Sequence, residues 1–355
     1  MDQQKLLAAF TSIAANPIWR DAFIEHVLQF ERTIATPGID VRETVTGPLV
    51  DALYHDDEVI TKELADGTRL EFLYRSKIAR DFMLSEPARP DHAWEPQTSR
   101  LLLDLGRDAR NVLIGGAYFG DQAILLARLV ARNQGTIHAF EPNGDQRRML
   151  LRNAALNNLH NIIALPEGLW SDSSTSLKLV GYDSFAHPEV SDDDSDAGAF
   201  RTTTMEDYLA AAGIAKLDLI MLDIEGAELR ALQGAARYLA QPAGEAPDIV
   251  FEVHRDYVDW SHGLENTEIV RYLRGFGYAV FAVRDFNSNV DMAGKPVELI
   301  PAADVYLEGP PHGFNMVAVK NTAHFDSAGY AIRHHVSPKL LRHKDPALHH
   351  PIGGL

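Results

Sequence analysis

From residue 111 onward, short apolar runs alternate with longer stretches in which apolar residues recur every three or four positions. The short runs read as buried strands, and the periodic stretches read as helices packed on a sheet. Strands are predicted at 112–115, 136–140, 162–165, 217–222 and 249–253, with helices near 121–133, 144–156, 228–239 and 267–276. Such alternation builds a parallel, doubly wound α/β sheet with right-handed crossovers. Segments 278–284 and 314–320 are expected to close the sheet as a last pair of strands.

The first third is patterned differently. Leu6, Leu7, Phe10, Ile13 and Ala14 predict a helix that stops at Asn16-Pro17, and Trp19, Phe23, Val27 and Phe30 predict a second one running to about Thr33. The spacing of these aromatics suits a core or dimer face. Two strand-like runs, 59–64 and 69–74, flank Asp66-Gly67 and predict a hairpin. Pro87-Ala88-Arg89-Pro90 reads as a linker. These features suggest an N-terminal helical and hairpin accessory region at 1–94, a main domain at 95–320 and a His-rich tail at 321–355. The tail carries His324, His334, His335, His343, His349 and His350 without metal-ligand spacing, and is expected to lie on the surface. The acidic run 191–196 lacks the spaced ligands and Gly of a calcium loop and reads as a solvated loop.

Charge narrows the choice of partner. Lys plus Arg total 33 against 50 Asp plus Glu, a net charge of −17, which disfavours a nucleic-acid substrate. No cysteine is present, so disulfides, thiol nucleophiles and thiolate metal sites are excluded. The start, Met1-Asp2-Gln3-Gln4-Lys5, lacks the basic and apolar regions of a signal peptide. No apolar stretch approaches the roughly 20 residues that span a bilayer. A soluble, cytoplasmic protein with no membrane partner is expected.

Three segments carry candidate chemistry. Gly115-Gly116-Ala117-Tyr118-Phe119-Gly120 follows the first strand, where small residues let the backbone turn tightly beside a ligand and present the next helix's amides. Its spacing is not the G-x-G-x-x-G dinucleotide fingerprint. Glu141, in Phe140-Glu141-Pro142-Asn143, closes the second strand, where an acid accepts hydrogen bonds from the two hydroxyls of a ribose. Asp223, Glu225 and Glu228 crowd the end of the fourth strand, and in open α/β sheets ligands sit at such carboxyl ends. Glu228 and Glu225 also suit a capping role at the following helix.

In this order, Gly116-Ala117-Tyr118-Phe119-Gly120, Ala139-Phe140-Glu141-Pro142-Asn143, Asn153 to Asn158, Thr203-Thr204-Met205-Glu206-Asp207-Tyr208-Leu209, Leu222-Asp223-Ile224-Glu225-Gly226-Ala227-Glu228 and Phe251-Glu252-Val253-His254 resemble the FkbM family of S-adenosylmethionine-dependent methyltransferases. The resemblance covers roughly residues 95 to 282. It implies a class I, Rossmann-like methyltransferase fold, with a doubly wound seven-stranded sheet of which one strand is antiparallel. It also implies methyl transfer to a hydroxyl of a sugar, glycan precursor or natural product. Gly116, Ala117, Tyr118 and Gly120 are then expected to line the cofactor, with Glu141 on the ribose, and Pro142 and Asn143 beside it. Glu167, Gly168 and Leu169 are expected near the adenine, and Glu95 and Thr98 near the methionyl group. The family's usual acid two residues before Gly116 is replaced here by Ile114, and Asp121 is the nearest substitute.

Methyl transfer to oxygen requires an aligned hydroxyl and removal of its proton. Asp223, Glu252 and His254 are the catalytic candidates, the last because imidazole titrates near neutral pH. A magnesium ion held by the same three residues is a less favoured alternative, since magnesium prefers all-oxygen ligation. A nicotinamide-dependent oxidoreductase and a non-catalytic binding protein on the same fold are the competing readings. The acceptor is expected to contact the accessory region and segments 182–202 and 285–313, with Arg255, Arg284 and Asn287 as candidate polar contacts. A homodimer through the accessory region is also compatible with the pattern.

Overall fold

The computed structural model describes residues 3–34, 40–191, 198–307 and 313–340. Strands β1 Asn111–Gly115, β2 Thr136–Phe140, β3 Ile162–Leu165, β4 Leu219–Leu222, β5 Asp248–Val253, β6 Ala279–Val283, β7 Val297–Pro301, β8 Phe314–Val319 and β9 Tyr330–Ile332 form one sheet in the order β9-β7-β6-β8-β5-β4-β1-β2-β3. Strands β1 to β5 are parallel, and β8 runs antiparallel between β5 and β6. The expected seven strands are therefore present and in the expected arrangement, but the sheet has nine. Strands β7 and β9 extend it beyond β6, with Glu298 in register with Ala331. They escaped the hydropathy reading because β7 lies within 285–313, read as an acceptor-contacting segment, and the three-residue β9 lies within the stretch read as a surface tail.

Side chains alternate across the sheet, as the two-residue period of a strand requires. Val112, Ile114 and Met221 face one core, with Leu101, Ile124 and Leu150 from the helices on that side. Leu113, Ile220, Leu222 and Phe251 face the other, with Leu232, Ile269 and Leu273. The helix expected at 228–239 is two helices, Glu228–Gln233 and Ala236–Leu239. The break falls at Gly234, which packs so closely on the chain that a β-carbon there would lie 2.3 Å from the Trp170 carbonyl oxygen.

The hairpin Val59–Glu63 and Arg69–Leu73 turns at Gly67, whose φ of +82° lies in the left-handed region. It docks on the main domain rather than standing apart. Asn153 accepts from the Glu71 amide at 2.7 Å and donates to the carbonyls of Glu71 and Phe119, both at 2.8 Å. Leu70 and Phe72 share one core with Leu101, Ile114 and Phe119, so the packing is continuous across residue 94. The first two helices, Gln3–Ala14 and Pro17–Thr33, bury only Val27. Asn16 caps the second by accepting from the amides of Ile18 and Trp19.

Strands Gly168–Leu169, Ser176–Val180, His187–Val190 and Ala199–Thr203 form a separate small sheet. Of the acidic run 191–196, residues 192–196 lie outside the described residues, as do His343, His349 and His350. The expected surface tail is corrected at 321–340. Besides β9, its Lys339–Leu340 pairs in parallel with Asp285–Phe286, and Phe325, Tyr330, Val336, Lys339 and Leu340 are buried. A histidine-rich composition hid these apolar anchors, while His324 and His334 hydrogen-bond Asp104 and Asp304. Among the described residues no helix is long and apolar enough to cross a membrane.

Candidate active site

A cavity of about 890 Å³ opens at the carboxyl ends of β1, β2, β4 and β5. The glycine loop forms part of its wall. Gly116 has φ +77°, and a β-carbon there would lie 1.7 Å from the Asp223 carbonyl oxygen, so this position tolerates no side chain. The Gly116 and Ala117 amides donate to the Phe140 carbonyl at 3.0 and 3.2 Å, which ties the loop to the end of β2.

Glu141 sits next to that loop and is 6 % exposed. Its Oε2 accepts from the Tyr118 amide and its Oε1 from the Asn143 amide, both at 2.8 Å. Burial outweighs these amides and pushes the carboxyl up to about 7. Asn143 caps the helix Gly144–Leu156 through the amides of Asp145 and Gln146. Glu167, Gly168 and Leu169 also line the cavity, and Glu167 Oε2 is buried with no donor among the described residues.

The small sheet closes over this end. Its Asp183, held at φ +47°, accepts from the Tyr118 hydroxyl and, at 2.6 Å, from Gln146 Nε2. Tyr182 reaches Asp56 in the N-terminal region. The hydropathy pattern located the segment but not these contacts, which depend on single polar side chains meeting across 37 to 126 residues of sequence.

At the other end, the carboxylates of Asp223, Glu225 and Glu252 bring ligand-competent oxygens within 4.8 Å of one another. Asp223 follows β4, and Glu252 is near the end of the adjacent β5, so parallel pairing of these strands sets the two acids side by side. Burial raises both carboxyls, and the neighbouring Glu252 partly offsets the rise of Asp223. Three carboxylates in this spacing suit a hard cation bound through oxygen. His254 does not belong to that group. It lines the cavity, but its Nδ1 accepts from the Asp256 amide at 3.1 Å, and burial lowers its basicity. Glu228 is structural, accepting from the amides of Ile224 at 2.9 Å and Gly226 at 3.0 Å to tie up the turn.

Of the methionyl candidates, Glu95 and Asp121 line the cavity and Thr98 does not. Asp121 is pushed up to about 7, mainly by burial, with Asp223 adding repulsion. The amides of Gln97 and Thr98 instead donate to Asp285 at 3.0 and 2.7 Å, so a distant carboxylate caps the helix Pro96–Leu105. Asn287 lines the cavity and Arg255 is exposed. Arg284 is buried against Glu298 at 2.8 Å. Sequence reasoning missed Lys339, a buried cation on the cavity wall, because it lies in the segment read as a tail.

Residues 115–280 match the methyltransferase FkbM domain. The chain carries an FkbM methyltransferase domain. The glycine loop, Glu141 and the Asp223–Glu252 pair all fall inside the matched span, whereas Glu95 and Lys339 fall outside it. Solved methyltransferase structures show a distant, partial likeness to the chain. Methyltransferase FkbM from Methylobacillus flagellatus KT is 14 % identical with a TM-score of 0.36, over 59 % of this chain and 44 % of that one. This chain thus spans less than half of that protein's length. An O-methyltransferase from Bacillus cereus in complex with SAH is 16 % identical with a TM-score of 0.34, over 63 % and 80 %. The O-methyltransferase TomG from Streptomyces achromogenes is 13 % identical with a TM-score of 0.36, over 70 % and 93 %. Among curated proteins no match is found.

Proposed function

We propose that this protein transfers a methyl group from S-adenosylmethionine to a hydroxyl of a sugar, glycan precursor or natural product. The observation that carries this reading is the Asp223–Glu252 carboxyl pair beside the glycine loop in a cavity large enough for two ligands. The residues present fit the cofactor. Glu167 Oε2 is an acceptor in need of a donor, which an adenine amine supplies, and Glu141 keeps lone pairs for ribose hydroxyls.

When bound, the cofactor supplies an electrophilic methyl group on a sulfonium sulfur. The chain's own work is to orient the acceptor and take its proton. Asp223 is the proton acceptor in this reading, with the carboxyl of Glu252 beside it. With its Nδ1 already accepting, His254 carries its proton on Nε2 and serves as a donor that orients the acceptor oxygen.

Calorimetric titration with S-adenosylhomocysteine and with NAD tests the cofactor, and heat with NAD alone sinks the proposal. Transfer of labelled methyl to a panel of hydroxylated acceptors then tests the reaction, with Asp223→Asn expected to lose ~100-fold or more in turnover. Turnover that survives a chelator agrees with proton removal by Asp223. Turnover abolished by the chelator and restored by magnesium would replace it with a metal-acidified hydroxyl.

A further inference from the structure

The cavity holds many acids and few cations, and the cations differ in one respect. Arg42 pairs with Glu31 at 2.6 Å and with Asp81 at 3.5 Å, and Lys77 pairs with Glu43 at 2.7 Å. Lys339 is 5 % exposed and donates to two neutral oxygens, Gly313 O and Asn287 Oδ1. It is the lining Lys or Arg without a carboxylate within 4.0 Å, among the described residues. Its hydrogen-bond partners are neutral, and the carboxyls of Glu95, Glu252 and Asp285 act on it without forming an ion pair, so the buried ammonium is incompletely compensated.

The amides that would otherwise receive an anion at this end are already engaged. Those of Gln97 and Thr98, at the start of the helix Pro96–Leu105, go to Asp285. Those of Gly116 and Ala117 go to the Phe140 carbonyl, and that of Tyr118 goes to Glu141. Nearby, Glu95 is 8 % exposed and bonded to Asn315 at 2.6 Å, and it is the carboxyl that acts most strongly on Lys339. A carboxyl and an ammonium on the same wall complement the two charges of an α-amino acid.

We infer that Lys339 binds the α-carboxylate of the cofactor's methionyl group, opposite Glu95 on the α-ammonium. The inference rests on the cofactor reading above. It gives a binding role to a residue beyond the matched domain, delivered by the pairing of Lys339–Leu340 with Asp285–Phe286. Gly313 allows this arrangement, because a β-carbon there would lie 1.8 Å from Glu252 Oε1 and push that carboxyl aside.

The test compares two ligands on the full chain by calorimetry: S-adenosylhomocysteine, and methylthioadenosine, which lacks the amino-acid end. In Lys339→Gln and Lys339→Met, S-adenosylhomocysteine is expected to bind at least ~10-fold more weakly, because a charge-assisted hydrogen bond is removed. Methylthioadenosine should bind both variants as it binds the wild type. Retained methylthioadenosine binding also shows that the variant is folded. Lys339→Arg, which keeps the charge, should recover part of the affinity. Equal weakening for both ligands, or none for either, would overturn the inference. A wild-type protein that binds neither ligand overturns the cofactor reading, and this inference with it.

Discussion

The Tyr118 hydroxyl donates to Asp183, so the glycine loop and the small sheet hold each other across the cavity. Ser76 lies 3.2 Å from the same hydroxyl, and Gln146 holds the other Asp183 oxygen. The loop that would touch a cofactor is thereby tied to the element that roofs it. Tyr118→Phe removes the tie and keeps the ring. S-adenosylhomocysteine is expected to bind roughly fivefold more weakly, since a net hydrogen bond contributes about 1 kcal/mol. Backbone amides of 182–190 should exchange faster in the variant. Unchanged exchange there would show that the roof is held by other contacts.

Gly116 is required by its backbone. At φ +77° and with the Asp223 carbonyl in the space a β-carbon needs, Gly116→Ala is expected to cost more than ~2 kcal/mol and to abolish cofactor binding. Gly144→Ala is the control. A β-carbon at Gly144 meets nothing within 4 Å, and the residue opens a helix, so the melting temperature should hold or rise slightly. Equal melting curves for Gly116→Ala and the wild type would contradict the close approach.

The buried acids set a pH dependence. Asp121, Glu141 and Glu228 are each raised to about 7 in the folded protein, chiefly by burial, from ordinary carboxyl values near 4. Between those values the folded state holds more protons than the unfolded state, so stability falls as pH rises through that window. The ligand-free protein should therefore melt at a lower temperature at about pH 7.5 than at about pH 5.5, as read by differential scanning fluorimetry. Glu141→Gln should flatten the slope, because the amide has no proton to lose. A melting temperature that climbs steadily across this window would show that the acids are not held protonated.

The first two helices leave an apolar face uncovered. Leu7 is 70 % exposed, Ile18 78 % and Trp19 57 %, although Phe10 and Phe23 pack edge to face beneath them. Burial of such a face favours self-association at about 25 cal/mol per Å². A homodimer through this face is expected by light scattering, and Trp19→Glu with Leu7→Glu should give monomers with cofactor binding intact. A wild-type protein that is monomeric at all concentrations removes the dimer.

Much of the fold was legible because it follows from local periodicity. The parallel strands β1 to β5 are short apolar runs, and the helices between them repeat at helical spacing, which forces a buried sheet covered on both faces. The glycine loop and Glu141 were equally readable, since each is fixed by its position just after a strand.

What the sequence left open depended on contacts between distant segments. The pairing of Asp223 with Glu252 rather than His254 follows from register between β4 and β5 and from the turn that draws His254 Nδ1 onto the Asp256 amide. Asp285 as a helix cap, Asp183 as a tie for Tyr118 and Lys339 as a cavity cation are single polar residues in segments with no periodic signal. Hydropathy determines which stretches are buried, because the gain from burial scales with apolar area. Only the tertiary structure decides which polar groups meet inside, because a hydrogen bond requires two atoms within about 3 Å, and chain separation says nothing about that distance.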